Sequence, residues 1–357
     1  MKKILFWWQF LWLTLFTIGS NTAMAIDYPN FQEGNWIAKD FKFHTGEVLP
    51  ELKIHYRTLG SPRAQAVLLL HGTTGSGANF LAPTFADVMF GPGQPLDATK
   101  YFIIMPDSIG AGDSSKPSDG MRMKFPKYNY DDAVLAQYLL ITQAFNINHL
   151  RVIIGNSMGG MQTWIWGISH PTFSDLLVPM ASMPSPMSGR NWMLRRLIID
   201  SIRQDPQWMQ GNYVEQPRSY QFASTFYSIA TNGGTLGLQS KTPTSQAADE
   251  YLNQALTRPM KGDANDALYQ WESSRDYDPS ASLEKIKSRV LAINSLDDER
   301  NPPELGFLEK GLQRIPHAQS FLIKATEKTT GHTTVSLANL WKEAFFKVLQ
   351  ATPPLNQ

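Results

Sequence analysis

Gly155-Asn156-Ser157-Met158-Gly159 sets one serine between two glycines, each two residues away. A serine hydroxyl attacks a carbonyl only if a base takes its proton and donors meet the oxyanion that forms. The spacing serves both needs on a tight strand-to-helix turn, where neighbours two residues away must be small. The flanks fit such a turn. Arg151 to Ile154 reads as a buried strand, and Met161 to Trp166 is compatible with a helix. A helix beginning there would point its free N–H groups at the developing charge.

The base must be a histidine, and on this type of turn the chain order runs serine, acid, histidine. Of the seven histidines, only His170, His317 and His332 follow Ser157. His170 comes one short helix after the serine, too early for that order. His317 lies in Ile315-Pro316-His317-Ala318-Gln319, ahead of a strand, and reads as surface. His332 lies in Thr329-Thr330-Gly331-His332-Thr333-Thr334, after that strand, where catalytic loops belong. His332 is the expected base. The acid is expected on the loop after the strand Val290 to Asn294, which carries Asp297 and Asp298, with Glu299 as an outside candidate. Asp298 is preferred for its distance from Pro302-Pro303; its work would be to hold the imidazole in one tautomer. Asp297 would then bond within the loop or face solvent. Two backbone N–H groups should meet the oxyanion: that of Met158, and one from His71-Gly72-Thr73-Thr74-Gly75-Ser76-Gly77, for which Thr73 is chosen. No lysine follows those glycines, which argues against a phosphate cradle.

These residues need a frame of parallel strands. Ala66 to Leu70, Tyr101 to Met105, Arg151 to Ile154 and Leu176 to Met180 are short apolar runs, as strands covered on both faces should be. Val134, Tyr138, Thr142 and Phe145 recur at helical spacing between the second and third. That alternation implies a mostly parallel sheet with helices on both faces. From about residue 184 it stops. Arg195 to Ile202 and Ala247 to Leu256 look helical, and strands return at Val290 to Asn294 and Phe321 to Ala325 before a final helix, Ser336 to Gln350. The reading is an α/β core in two parts, 26–183 and 286–357, with a helical lid inserted at 184–285. Arg190 and Arg195, at the start of that lid, are candidates for binding a substrate carboxylate. Asp107 to Ser115 reads as a rim loop in which Asp113 caps backbone.

Composition narrows the classes. The chain has 357 residues with 32 basic against 31 acidic side chains, and no basic stripe, so no nucleic-acid partner is expected. There is no cysteine, which excludes disulfides and thiolate nucleophiles, and no metal signature, so no metal or cofactor is expected. Residues 1–25 read as an export signal: Lys2 and Lys3, an apolar run from Ile4 to Ile18, then Ala23-Met24-Ala25 as a cleavage site. The mature chain would begin near Ile26, outside the cytoplasm, with no stable membrane insertion.

Leu70-His71-Gly72-Thr73-Thr74-Gly75, Gly155 through Gln162, and Gly331-His332 resemble the homoserine O-acetyltransferase family of α/β-hydrolases. Asp205-Pro206-Gln207-Trp208 with Gly211-Asn212-Tyr213 resembles that family's lid, and Ser295-Leu296-Asp297-Asp298 running into Pro302-Pro303 its acid loop. The likeness covers most of residues 45–350. It implies an α/β-hydrolase fold with a lid and transfer of an acyl group through an acyl-serine. One position departs: Thr333 stands where those enzymes usually carry an aspartate suited to the homoserine amine, and it bears no charge. The expected activity is therefore hydrolysis of a small-molecule ester or other acyl donor, with O-acyl transfer as the alternative and an inactive binding protein as a third possibility.

Overall fold

Eight strands form one sheet in the computed structural model, which describes residues 28–260 and 262–355. The segment read as an export signal lies outside the described residues. The strands are β1 (Gln32–Lys42), β2 (Val48–Leu59), β3 (Gln65–Leu70), β4 (Tyr101–Pro106), β5 (Leu150–Asn156), β6 (Ser174–Met180), β7 (Arg289–Ser295) and β8 (Ala318–Ile323). Their order is β1-β2-β4-β3-β5-β6-β7-β8, and only the pairs made by β2 are antiparallel. The helices are α1 (Pro83–Met89), α2 (Tyr130–Leu139), α3 (Met158–Ser169), α4 (Gly189–Gln204), α5 (Arg218–Asn232), α6 (Thr235–Lys241), α7 (Ser245–Thr257), α8 (Ala264–Glu272), α9 (Phe307–Leu312) and α10 (Lys342–Ala351).

Side chains alternate across a strand, so each central strand feeds two cores. Val67 and Leu69 of β3 pack with Phe85 of α1 and Phe345 of α10. Ala66, Leu68 and Leu70 pack with Val134 of α2, Trp164 of α3 and Leu308 of α9. This is why the central strands read as unbroken apolar runs: neither face meets water. A third core joins the β1–β2 hairpin to the helices between β6 and β7, through Phe41, Leu52 and Ile54 against Ile198, Ile202 and Leu268. The inserted helices are thus anchored on the sheet's antiparallel end.

Three elements depart from the sequence expectation. The β1–β2 hairpin was not read at all. β8 runs from Ala318 to Ile323 rather than 321–325, because Ala318 pairs with Val290. The final helix starts at Lys342 rather than Ser336. Leu337 (φ −89°, ψ 77°) and Trp341 (φ −138°, ψ −9°) leave helical geometry, and two short 3-10 turns, Gly331–Ser336 and Ala338–Leu340, take its place. Trp341 Nε1 donates to the Val335 carbonyl at 2.8 Å and holds that bend.

Chain order reverses between β3 and β5: β4 pairs on one side of β3, β5 on the other. Open sheets bind ligands beyond the carboxyl ends of their strands at such a switch point. The loop after β3 and the turn after β5 meet there.

Candidate active site

Ser157 sits between β5 and α3 with φ 57° and ψ −107°. A non-glycine residue in this region is strained by roughly 1–3 kcal/mol and persists only where its surroundings over-determine it. Here they do. Ser157 N–H donates to the Met180 carbonyl at 2.9 Å, and Gly159 N–H to the His71 carbonyl at 3.0 Å, tying the turn to β6 and β3. The two glycines are steric necessities. A Cβ on Gly155 would lie 2.0 Å from the Gly159 carbonyl oxygen, and one on Gly159 2.0 Å from that of Leu70.

Ser157 Oγ lies 2.7 Å from His332 Nε2, and His332 Nδ1 lies 2.9 Å from Asp298 Oδ2. A carboxylate only accepts, so Nδ1 carries the proton and Nε2 presents its lone pair to the serine hydroxyl. All three residues are buried. Burial, with the positive Arg300 nearby, pushes the imidazole down to about 4 although Asp298 pulls the other way. It is neutral at pH 7, as a base must be. Burial alone would raise the Asp298 carboxyl; the facing imidazole and the Asn301 amide outweigh it and hold the carboxyl below its ordinary value. Asn301 Nδ2 donates to Asp298 Oδ2 at 2.8 Å, and Arg300 N–H to Oδ1 at 2.9 Å. Asp297 turns the other way. Its carboxylate accepts from Ser295 Oγ and, at 2.6 Å, from Thr329 Oγ1.

Among the described residues, the N–H groups of Thr73 and Met158 donate to no protein acceptor. The Gly72–Thr73 turn lies against the serine, for a Cβ on Gly72 would stand 3.5 Å from Ser157 Cβ. The loop is fixed from three sides. His71 Nδ1–H donates to the Gly72 carbonyl at 2.8 Å, while its Nε2 accepts from Ser108 N–H at 2.9 Å. Asp107 accepts Gly77 N–H at 2.7 Å. Gln270 of α8 accepts Thr74 N–H at 2.7 Å. Sequence reading missed Gln270 and placed Asp107 only in the rim loop, without this role. Asp113, expected to cap backbone, is exposed, and Asp107 accepts its N–H instead.

A cavity of about 580 Å³ opens over the serine. Ser157, Thr73 and His332 lie on its floor side; Tyr220, Tyr227 and Trp271 come from the inserted helices. The two arginines expected to bind substrate do not line it. Arg190 is exposed and pairs with Glu299 at 2.7 Å. Arg195 is buried beneath the helices, donating to Asn191 at 2.9 Å and Ser274 at 3.1 Å, with its guanidinium 5.1 Å from the Trp271 ring centroid. On the buried stripe of α4 that carries Arg195, it is Ile198 that reaches the cavity lining. The arginine on the cavity wall is Arg300, which sequence reading passed over. His170 stacks on Tyr138 at 4.0 Å, and His317 is exposed. One cluster among the described residues has metal-like spacing, His55, Asp107 and Asp113, but Arg57 already lies 3.1 Å from Asp107 and 3.7 Å from Asp113.

The sheet order, the strained serine on its turn and the histidine behind it define an enzyme of the α/β-hydrolase fold. The chain belongs to the alpha/beta hydrolase fold family, whose profile matches residues 65–327. It is 27% identical over 313 residues to a probable acyltransferase of Methanothermobacter thermautotrophicus, covering 85% of this chain and 93% of that one. It is 36% identical over 208 residues to the homoserine O-acetyltransferase of Chlorobaculum parvum, a match spanning 54% of this chain and 56% of the relative. An acetylester hydrolase from Corynebacterium glutamicum superposes with TM-score 0.75 at 20% identity, over 90% of this chain and 95% of that chain.

Proposed function

We propose that the chain is a serine acyl hydrolase acting on small-molecule esters through an acyl-enzyme. The hydrogen-bonded line from Ser157 Oγ to His332 to Asp298 carries the reading. His332 Nε2 takes the hydroxyl proton as Oγ bonds to the ester carbonyl carbon. The N–H groups of Thr73 and Met158 stabilise the oxyanion. Collapse breaks the bond to the alcohol, which leaves with the proton held by His332. Water then attacks the acyl-serine by the same route in reverse. Each oxyanion donor is worth roughly 10²–10³ in kcat in such sites.

O-acyl transfer, with an alcohol replacing water in the second half, is supported by the relatives named as acyltransferases. The identity of Thr333 favours water over homoserine as acceptor, since among the described residues no carboxylate lines the cavity to hold an ammonium group. Export is part of the proposal and rests on residues 1–25 alone; the amino terminus of protein recovered from cells would begin near Ile26.

The test is release of p-nitrophenol from the acetate and butyrate esters by wild type and Ser157→Ala, with and without homoserine. Acceptor-independent turnover that disappears in the variant supports a serine hydrolase. Product formed only when homoserine and acetyl-CoA are supplied supports the transferase. Turnover that survives in Ser157→Ala overturns both.

A further inference from the structure

Among the described residues, Arg300 is a cation without a counter-ion. It is 8% exposed, and its guanidinium lies 4.2 Å from the Tyr227 ring centroid. Its side chain donates only through Nη2, to Thr231 Oγ1 at 3.0 Å and Asn232 Oδ1 at 2.7 Å. Nε is enclosed with no partner, and Nη1 has no acceptor among the described residues. No carboxylate among them lies within ion-pair distance. Asp298 precedes it in the same loop, but its oxygens are taken by His332, Asn301 and Arg300's own N–H. A buried charge is costly unless paired, and a ring face with two neutral oxygens offsets only part of that cost.

The surrounding wall has the same bias. Arg300 lines the cavity over Ser157, and among the described residues no aspartate or glutamate does. A wall with one permanent positive charge and no acid complements a singly charged anionic group. A phosphate dianion would call for a second cation, which the lining does not supply.

We propose that Arg300 recognises an anionic group of the substrate, and that the natural ester carries a carboxylate. This rests on the acyl-serine reading above. The rival role for Arg300 is a brace that joins α5 to the acid loop through Thr231 and Asn232, and a brace is indifferent to substrate charge.

Two matched pairs of esters separate the roles: 4-acetoxybenzoate against 4-acetoxybenzamide, and p-nitrophenyl hydrogen glutarate against p-nitrophenyl valerate. The quantity read is the ratio of kcat/KM, charged over neutral, in wild type, Arg300→Gln and Arg300→Lys. The expected result is a ratio in at least one pair that falls about tenfold or more in Arg300→Gln, the scale of a charge-assisted bond, and is partly restored in Arg300→Lys. A ratio unchanged by Arg300→Gln in both pairs overturns the proposal. If wild type turns over none of the esters, the hydrolase reading has failed separately, and calorimetric titration with glutarate decides. Binding that weakens at least tenfold in Arg300→Gln upholds the anion site; no binding to wild type overturns it.

Discussion

Gln270 Oε1 accepts the Thr74 N–H at 2.7 Å, and the Gln270 amide donates to the Gly110 carbonyl at 2.7 Å. One buried side chain from the inserted helices therefore fastens the loop beside Ser157 to the loop after β4. The insertion is part of the site's scaffold as well as its roof. Thr73, whose N–H is proposed to meet the oxyanion, is the residue immediately before the one Gln270 holds.

Removing that tie should act on the chemical step. Gln270→Met leaves the Thr74 N–H and Gly110 carbonyl unpaired and frees the Thr73 N–H to drift. The expected effect is a fall in kcat of about tenfold to a hundredfold, somewhat less than deleting an oxyanion donor, with a smaller change in KM. Gln270→Glu keeps an acceptor for Thr74 and should retain more kcat than Gln270→Met. A loss confined to KM, or equal loss in both variants, would show that Gln270 does not position the loop. Thermal midpoints taken alongside identify any simple loss of folding.

The elbow glycines give a purely steric prediction. In Gly159→Ala the new Cβ would stand 2.0 Å from the Leu70 carbonyl oxygen, a β3 backbone atom that cannot swing away. The expected cost is about 3 kcal/mol or more, since relief requires moving α3 off the sheet. Gly46→Ala is the control for space: that Cβ meets nothing within 4 Å, so only its left-handed φ of 87° opposes it. Denaturant midpoints should drop much further for Gly159→Ala than for Gly46→Ala.

What sequence made legible follows from how locally each feature is determined. β3 through β7 were readable because both their faces are covered, so their central positions form apolar runs. β1 is not: exposed Lys39, Asp40 and Lys42 flank the buried Ala38 and Phe41 on an edge strand, and no run stands out. Ser157, Asp298 and His332 could be proposed from chain order and loop context, because a strand-turn-helix and the ends of two strands dictate where such groups lie. Asp298 could be preferred to Asp297 only by its distance from Pro302-Pro303; the side-chain directions separate them outright, Asp298 bonding His332 and Asp297 bonding Thr329. Arg300 and Gln270 were invisible for a related reason. An arginine between Glu299 and Asn301 looks like any solvated loop, and its burial is created by Thr231, Asn232 and Tyr227, some 70 residues earlier in the chain.

Strain at Ser157 separates stability from function. Glycine adopts φ 57° without penalty, whereas alanine carries the same Cβ conflict as serine. Ser157→Ala and Ser157→Gly both lose the hydroxyl, so their difference isolates the backbone. Ser157→Gly should be the more stable by about 1 kcal/mol, after the roughly 0.5–1 kcal/mol entropic cost of glycine in the unfolded chain is set against the relieved strain. Equal midpoints would mean that the turn is not strained.

The pH dependence tests the environment of His332. Its folded value of about 4 lies below the ordinary 6.5 because burial disfavours the imidazolium. The neutral base is therefore complete at pH 6 and above, and kcat/KM should fall on acidification with a midpoint near 4 rather than near 6.5. Stability shifts in the same direction. Between 4 and 6.5 the unfolded chain binds the proton and the folded site does not, so this group's contribution is full above 6.5 and is lost as pH falls toward 4. For a fully buried ring the contribution is at most about 3 kcal/mol. It should vanish from the pH–stability curve of His332→Gln while the curve's other features remain. Arg300→Gln removes a positive neighbour and should move the kinetic midpoint upward. An acid limb near 6.5 in wild type, unmoved by Arg300→Gln, would mean that the imidazole is solvated during turnover and that the cavity admits water freely to the triad.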